Sequence, residues 1–319
     1  MPEILSEVDC RYCGSKDCIS QYSTTDIFED TYQLHRCNSC EAHFIFPFPT
    51  EDQLARAYAD DYYGEQEEKF KSFFEKIVDT FRKRRAKRLS KKIKSGAKVL
   101  DIGCGNGKFL MELESYVHCN LYGIEPGNKA AQRVARIPEI TLKNGVLEKN
   151  DFPENIFDAI TLFHVFEHLP KPKQTLECIC EILKPEGILV ISMPNIISIQ
   201  SRLFKGKWLH LDPPRHLLFF SMKSLDKIMI EKGFEPIGKT AVSFEQNPFG
   251  FIQSFFNLFF KKRELLFESM KGNEKYTGGK KFLIQKLIAM FLFPFLIVSD
   301  LVLALFNKSA TYERVYRKK

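Results

Sequence analysis

The stretch KVLDIGCGNGKF, from Lys98 to Phe109, decides the fold of this 319-residue chain. A short apolar run predicts a buried strand, and three glycines at alternate positions follow its acidic end. Glycine has no Cβ and tolerates positive φ, so a ligand can approach this backbone closely. We therefore expect a ligand-binding loop at Gly103, Gly105 and Gly107, with Asp101 standing in front of it.

Strands and helices alternate on both sides of this loop. Strands are predicted at KVLDIG, NLYGIEP, EITLKNG, FDAITLFHV and GILVISMPN, with helical segments between them. This alternation is typical of a parallel sheet covered by helices on both faces, which is an α/β fold. In open parallel sheets, ligands bind beyond the carboxyl ends of the strands. The sequence therefore predicts one site that contains Asp101 and Glu125, because these acids end the first two strands.

The acid in front of the glycines indicates the kind of ligand. A dinucleotide loop reads GxGxxG, but Lys108 stands where its third glycine belongs. A pyrophosphate is also disfavoured beside Asp101, whereas an ammonium and a sulfonium are favoured. S-adenosylmethionine carries both cations. Glu125, 24 positions after Asp101, can accept hydrogen bonds from both ribose hydroxyls of that ligand.

The N-terminal segment 1–50 contains two CxxC pairs, CRYC and CNSC. Two such pairs about two dozen residues apart are typical of a zinc ribbon, in which four thiolates form a tetrahedral structural site. We therefore predict a Zn²⁺ site at Cys10, Cys13, Cys37 and Cys40. Unmetallated reduced thiols are the alternative, and Cys18, His35 and His43 are possible substitute ligands. No secretory signal pattern opens the chain, so we expect a cytoplasmic protein.

Residues 51–95 are predicted to form a helical cap. Thr50 is a candidate N-cap, and apolar residues recur at helical spacing from Phe70 to Phe81. Tyr62 and Tyr63 lie between the two predicted helices. The basic run from Arg82 to Lys94 contributes to a formal net charge of only +7, and we read it as a solvated helix face, with nucleic acid an unlikely partner.

The motifs VLDIGCGNGKF, GIEPG, FDAITLFHVFEHL, LKPEGILVISMPN and PPRHLLFFS resemble those of class I S-adenosylmethionine-dependent methyltransferases. The resemblance covers about Lys98 to Gly238, and it extends to a branch with an N-terminal CxxC…CxxC module that is often linked to modification of cell-surface sugars or lipids. It implies a Rossmann-like, seven-stranded, mostly parallel sheet with a reversed last strand. We place this core at residues 96–248.

The same resemblance implies a set of cofactor-binding residues. Cys104 belongs to the glycine motif and Pro126 to GIEPG, while Val146 and Leu147 correspond to positions near the adenine. Many relatives have Asp where Val146 stands. In this chain, backbone amides or Asp151 are therefore the candidates for hydrogen bonds to the adenine edge. Phe163 and His164 correspond to the end of the fourth strand, under the sulfonium. The expected cofactor set is Asp101, Gly103, Cys104, Gly105, Gly107, Glu125, Pro126, Val146, Leu147, Phe163 and His164.

Methyl transfer to an oxygen needs alignment and usually a base. The candidates in this sequence are His168, Glu167 and His216, with Glu167 placed to orient His164 if a helix has begun. A purely structural role for Glu167 and His168 is the alternative. In HLDPPRHLLFF, a proline-stiffened loop, Arg215 can grip an anionic acceptor or simply belong to a rigid turn. Asn195, at the end of the fifth strand, is a further candidate for the pocket.

After Pro248 the composition becomes strongly apolar, and residues 249–319 are predicted to form a helical tail. Residues 251–260 and 287–306 are candidates for contact with a membrane surface. Pro294 and Asp300 interrupt the second run, so burial against protein and a membrane span stay open as alternatives. The predicted location is therefore cytoplasmic, and a peripheral position on the inner face of the membrane is a further candidate.

Together these features favour a methyltransferase that acts on a sugar, a lipid-linked glycan or a related small acceptor. A quinone-type or other soluble small-molecule O-methyltransferase is the first alternative. A non-catalytic module that binds nucleic acid or protein, with a vestigial cofactor loop, is the second alternative. The intact Asp101, glycines and Glu125 argue against a vestigial loop. Neither the oligomeric state nor the methylated atom follows from the sequence.

Overall fold

The computed structural model describes residues 8–58, 73–244, 246–260, 266 and 280–319. Tyr62, Tyr63 and Phe70 of the predicted cap lie outside the described residues. So do Lys261, Lys262 and Arg263, which the sequence places beside the first apolar run.

A seven-stranded sheet forms the centre of the described chain. Its strands are β4 (Ala97–Ile102), β5 (Cys119–Glu125), β6 (Ile140–Asn144), β7 (Phe157–Phe163), β8 (Leu183–Pro194), β10 (Phe234–Thr240) and β11 (Thr311–Lys318), in the order β10-β11-β8-β7-β4-β5-β6. Strands β4 to β8 pair in parallel, and β11 is antiparallel to both β8 and β10. The predicted α/β fold with a reversed last strand is confirmed.

The reversed strand comes from an unexpected part of the chain. The sequence analysis assigned all of residues 249–319 to a helical tail, whereas Thr311–Lys318 forms strand β11 inside the sheet. The strand was missed because charged residues interrupt its apolar pattern. The structure pairs these charges: Arg314 donates to both carboxylate oxygens of Asp226, at 2.8 and 2.6 Å. Tyr312 and Tyr316 are fully buried on the strand.

The helices of the described chain flank this sheet or precede it. They are α1 (Glu51–Ala57), α2 (Phe73–Ser90), α3 (Lys108–Glu114), α4 (Asn128–Val134), α5 (Pro172–Ile182), α6 (Ile199–Phe204), α7 (Met222–Glu231), α8 (Asn247–Phe259) and α9 (Lys280–Leu305). Helix α1 begins with the predicted cap: Thr50 and Gln53 form a reciprocal capping box. A 3₁₀ turn, Phe166–His168, follows β7 directly.

The N-terminal segment forms a small antiparallel sheet that joins the core. Its strands are β1 (Cys18–Thr25), β2 (Thr31–Cys37), β3 (His43–Phe46) and β9 (Leu218–Phe219), in that order. Strand β9 belongs to the segment that we predicted as a proline-stiffened loop. Because β9 pairs with β3, the loop is also a structural link between the module and the core. Tyr12 packs edge-on against Phe220 at 5.2 Å between ring centroids, which strengthens this link.

Helices α8 and α9 form an insertion between β10 and β11. They pack together through a hydrophobic cluster that includes Phe249, Ile252, Phe256, Ile288 and Phe293. Strand β10 ends, and β11 begins, at the same edge as the carboxyl end of β8, since Thr311 pairs with Pro194. Both ends of the insertion therefore leave the sheet at its carboxyl edge, where the ligand site is predicted.

Candidate functional site

Asp101 ends β4 and is almost fully buried, with 4% of its surface exposed. Its Oδ1 accepts a hydrogen bond from the Thr161 hydroxyl at 2.6 Å. Burial raises the pKa of the Asp101 carboxyl to about 7, and the Thr161 hydrogen bond opposes that rise. A cation bound beside Asp101 would favour its ionised form, so the carboxyl is suited to a cationic ligand.

The glycine loop is anchored to the neighbouring strand. The backbone N–H groups of Gly103 and Cys104 both donate to the carbonyl of Ile124, at 2.7 and 3.1 Å. Gly103 has a φ of +72°, and a Cβ there would lie 2.4 Å from Cγ2 of Val165. Glycine is therefore required at this position by backbone conformation and by close packing.

Glu125 connects β5 to the glycine loop. Its Oε2 accepts from the N–H of Gly105 at 2.8 Å, and its Oε1 accepts from the N–H of Gly127 at 2.9 Å. A carboxylate can accept about four hydrogen bonds, so lone pairs remain for ribose hydroxyls. The backbone has thus oriented this carboxylate before any ligand arrives. Pro126 follows on the surface.

The other predicted cofactor residues differ in how accessible they are. Val146 is 48% exposed, whereas Leu147 belongs to the hydrophobic core. The thiol side chain of Cys104 also packs in the core, which leaves its backbone for ligand contact. Asp151 accepts from the N–H of Glu148 at 2.6 Å and pairs with Lys143. Of these side chains, Val146 is the one on the surface.

Phe163 and His164 lie at the carboxyl end of β7. Phe163 packs edge-on against Phe109, with ring centroids 4.7 Å apart, and the Arg85 guanidinium lies 5.1 Å from the centre of its ring. His164 has a φ of +57°, and its N–H donates to both the carbonyl and the hydroxyl of Ser192 at 3.1 Å. His164 and Ser192 line a small open cleft with α2 and the start of β11.

The predicted catalytic residues Glu167, His168 and His216 form one cluster. Glu167 is fully buried, and its Oε1 lies 3.3 Å from His164 Nδ1, so the predicted Glu167–His164 contact exists. It arises in a 3₁₀ turn and not in an α-helix, because His164 already leaves the right-handed helical region. His168 instead packs against His216, with ring centroids 4.6 Å apart.

Burial sets the charge of this cluster. It raises the pKa of the Glu167 carboxyl to about 7, an effect opposed by His216. Burial also lowers the pKa of His168 well below its usual value, and His216 adds to the decrease. His168 is therefore a neutral imidazole near pH 7, the form that can accept a proton. The catalytic and cofactor roles of these residues stay predictions.

Two further candidates prove to be structural. Arg215 is 3% exposed and donates through Nε, at 2.9 Å, and Nη2 to the carboxylate of Asp212. Its guanidinium is buried and hydrogen-bonded to Asp212, so it is not exposed to an anionic acceptor. Asn195 donates to the carbonyls of Asn307 and Ser309, at 3.2 and 3.0 Å, and so holds β11 beside β8.

The four predicted zinc ligands converge as expected. The sulfurs of Cys10 and Cys40 lie 3.5 Å apart, those of Cys13 and Cys37 lie 3.6 Å apart, and all four lie within 4.8 Å of one another. Four sulfurs at about 2.3 Å from one zinc are separated by about 3.8 Å, so this arrangement fits the ion. The thiol of Cys18 donates to the carbonyl of Ser15 and lies outside this group.

Sequence reasoning missed three residues at the site. Thr161 was the easiest to find, since it is a polar residue in an apolar strand and pairs in register with Asp101. Tyr58 follows α1, and its hydroxyl lies 2.9 Å from Nδ1 of His168. Arg85 was assigned to a solvated helix face, yet it also pairs with Glu313 at 3.4 Å. No local pattern identifies the last two, because their partners are distant in sequence.

Curated relatives match about a third of the chain. A ubiquinone biosynthesis O-methyltransferase from Shewanella sp. (strain ANA-3) is 28% identical over 31% of this chain and 44% of its own length. A sterol 24-C-methyltransferase from Aspergillus fumigatus is 30% identical over 30% of this chain and 27% of its own length. The chain thus spans less than half of either relative.

A solved S-adenosylmethionine-dependent methyltransferase from Archaeoglobus fulgidus has a TM-score of 0.48 at 17% identity, over 77% of this chain and 98% of its own. The family model described as a methyltransferase domain matches residues 74–238, just over half of the sequence. This matched region contains the glycine loop, Glu125 and the Glu167–His216 cluster. The chain belongs to the methyltransferase-domain family.

Proposed function

We propose that the whole chain is an S-adenosylmethionine-dependent methyltransferase that acts on a sugar, a lipid-linked glycan or a related small acceptor at the inner face of a membrane. The observation that carries the acceptor class is the apolar insertion α8–α9, whose two ends leave the sheet at its carboxyl edge, the edge that also carries Asp101 and Glu125. An acceptor embedded in a membrane can then reach that site without leaving the lipid surface.

The donor half of this proposal rests on Asp101 and Glu125. Asp101 is buried at the end of β4, where a cationic amino-acid end or sulfonium offsets the cost of ionising a buried carboxyl. Glu125 is fixed at the end of the adjacent strand, where it can accept both ribose hydroxyls. The two carboxyls are thus suited to the two ends of one ligand.

Methyl transfer is an in-line displacement, and alignment contributes most of its rate. The 3₁₀ turn that carries Glu167 and His168 starts beside the glycine loop, because Val165 packs against Gly103. We place the acceptor in the cleft by His164, because His164 precedes Val165 in the chain and Val165 packs on the glycine loop. His168 can take the acceptor's proton as the oxygen attacks.

The membrane half of the proposal rests on the exposed side of α9. Within the described residues, Phe282–Leu305 is a 24-residue helix with hydropathy 2.5, long and apolar enough to cross a membrane. One side packs on α8, and the other exposes Leu283, Ile284, Leu287, Met290, Phe291, Phe295, Val298, Leu301, Val302 and Leu305. A helix held to its own protein along one side is suited to lying in the interface rather than spanning it.

Asp300 no longer opposes this proposal. The sequence analysis treated it as a charge that a membrane would have to accept. In the structure it is 3% exposed, and its carboxylate accepts from Asn247 Nδ2 at 2.9 Å and from the N–H of Ser243 at 3.3 Å. Its side chain therefore anchors α9 to the protein and lies on the side away from the exposed apolar stripe.

A Zn²⁺ ion bound by the four N-terminal cysteines belongs to the proposal as a structural cofactor. Its proposed role is to stabilise the small sheet that pairs with β9 of the core. Reduced thiolates also require a reducing compartment, which supports a cytoplasmic position on the inner membrane face.

Binding to anionic phospholipid vesicles tests the membrane half. The full-length protein should float with the vesicles, and Phe291→Glu combined with Val298→Glu should abolish flotation by placing charges on the exposed stripe. The matched control is Ile230→Glu, which charges an exposed apolar side chain on α7. Flotation that persists in the double variant would overturn the membrane proposal and leave the donor proposal standing.

A second candidate acceptor is a quinone precursor. The observation that favours it is the 28% identity to a ubiquinone biosynthesis O-methyltransferase over 107 residues. Methyl transfer from labelled adenosylmethionine to a polyprenylated catechol, compared with transfer to a lipid-linked sugar, decides between the two acceptors.

Nucleic acid is not part of the proposal. Arg85 and Arg88 of the basic run both pair with Glu313, so these two side chains are engaged within the fold.

A further inference from the structure

The carboxylate of Glu167 is buried without a hydrogen-bond donor. It is fully inaccessible to solvent, and neither Oε1 nor Oε2 has a hydrogen-bond partner among the described residues. Its one ion-pair contact is His164 Nδ1, at 3.3 Å from Oε1. A buried carboxyl in this state is costly whether or not it is protonated, because both forms need partners. Among the described residues, the fold therefore holds a strong oxygen ligand that has an ion-pair contact with His164 but no hydrogen bond.

Two imidazoles beside Glu167 have a fixed orientation. Nδ1 of His168 lies 3.1 Å from the carbonyl of Arg215, and Nδ1 of His216 lies 2.8 Å from the carbonyl of His210. A carbonyl oxygen only accepts hydrogen bonds, so Nδ1 of His216 carries the proton and its Nε2 presents a lone pair. Nδ1 of His168 also lies 2.9 Å from the Tyr58 hydroxyl, which can accept from the same N–H that faces the Arg215 carbonyl. That tautomer leaves the lone pair of His168 on Nε2. Backbone carbonyls commonly orient metal-binding histidines in this way.

The three side chains converge. One ligand atom from each of Glu167, His168 and His216 lies within 4.8 Å of those of the other two. Ligands about 2.1 Å from a shared ion are separated by about 3 to 4 Å, so a small adjustment closes the distance. The neighbouring carboxylate of Asp212 lies 3.8 Å from His216 Nε2 and is held by Arg215. It adds negative charge next to the cluster.

We propose that Glu167, His168 and His216 bind a divalent transition-metal ion, and that this ion holds the acceptor oxygen for methyl transfer. Two imidazoles and one carboxylate are a ligand set suited to Zn²⁺, Mn²⁺ or Fe²⁺, with coordination positions left for an outside oxygen. The site is distinct from the four-cysteine cluster, whose ligands are all sulfur. His168 then acts as a metal ligand in place of the general base considered above.

The role of the ion rests on the proposed methyltransferase function. A coordinated hydroxyl ionises more readily and gives its proton to solvent water. The oxygen then forms a bond with the methyl carbon of the sulfonium. The carbon–sulfur bond breaks, and its electron pair stays on sulfur, which becomes a neutral thioether. Val165 packs on Gly103 of the glycine loop, and Glu167 follows two positions later in the chain.

Metal titration of the chelator-treated, full-length protein tests the site without reference to activity. Cobalt(II) is the probe, because thiolate ligands give intense near-ultraviolet charge-transfer bands that a histidine–carboxylate site lacks. We expect two ions per chain in the unmodified protein, and a loss of affinity for the non-thiolate ion of at least about 100-fold in Glu167→Gln and His216→Ala. The matched control is His118→Ala, which removes an exposed histidine and should retain both ions.

Each result decides the proposal. One thiolate-bound ion per chain in the unmodified protein, or a second ion that survives both substitutions, overturns it. Circular dichroism of each variant and calorimetry with adenosylmethionine are run beside the titration. Loss of the second ion in a variant that still folds and still binds adenosylmethionine supports the site. A second ion in a protein that does not bind adenosylmethionine would overturn the methyltransferase proposal, and with it the role of the ion, but not the metal site.

Discussion

The carboxylate of Glu125 accepts a hydrogen bond from the backbone N–H of Gly105 at 2.8 Å, and so joins the end of the second strand to the middle of the glycine loop. The other carboxylate oxygen accepts from the N–H of Gly127 at 2.9 Å. One side chain therefore orients the loop and is itself held in place. A ligand that meets a carboxylate already fixed in position loses less entropy on binding.

Replacement of Glu125 by alanine should weaken adenosylmethionine binding by about 1.5–3 kcal/mol, the contribution of a hydrogen bond to a charged group. Calorimetry measures this change. The matched control is Glu148→Ala, because Glu148 is exposed and lies beyond the sheet edge. Equal affinity in Glu125→Ala and the unmodified protein would contradict the ribose assignment.

Asp101 should make adenosylmethionine binding depend on pH. Its folded pKa of about 7 lies above the unfolded value of about 3.9, so the folded state binds more protons between these values. The contribution of Asp101 to the free energy of unfolding therefore falls as pH rises through that window. A bound cation favours the ionised form, so affinity should rise by up to about tenfold per pH unit below pH 7 and level off above it.

Calorimetry between pH 5.5 and 8.5 measures this dependence on pH. Asp101→Asn should bind more weakly and lose most of the slope, because the amide does not titrate. A slope that is unchanged in Asp101→Asn would mean that another group controls binding.

Gly103→Ala should destabilise the protein by about 1–3 kcal/mol, because the added methyl meets Val165 and the backbone has positive φ. Gly96→Ala is the matched control, since Gly96 has a φ of +81° but no atom within 4 Å of an added Cβ. Denaturant unfolding of both variants separates the steric cost from the conformational cost. Equal destabilisation would show that contact with Val165 contributes nothing.

Removal of zinc should destabilise more than the N-terminal segment. Strand β9 pairs with β3, so loss of the small sheet exposes part of the core. We expect Cys13→Ser to lose zinc by elemental analysis and to lower the melting temperature of the whole protein. Cys18→Ser is the control, since its thiol lies outside the four-sulfur cluster. A normal melting temperature in zinc-free Cys13→Ser would show that the module is not needed for core stability.

Local pattern was enough for most of the α/β core. Strands β4, β5 and β7 are short, mainly apolar segments, and the alternation of helices with strands sets their parallel pairing. The position of Asp101 and Glu125 at strand ends follows from the same pattern. The local pattern did not predict strand β11, because partners that are far away in sequence, such as Asp226, pair with its charged residues.

The sequence by itself determined the parallel strands of the sheet, the glycine loop, the two cysteine pairs and the list of candidate catalytic residues, because each depends on local spacing. Only the tertiary structure decided which candidates meet. It joined His216 to Glu167 and His168 across 48 residues of chain, engaged Arg215 with Asp212, and brought the C-terminal strand into the sheet. These outcomes depend on burial and charge pairing between distant segments, which local pattern does not encode.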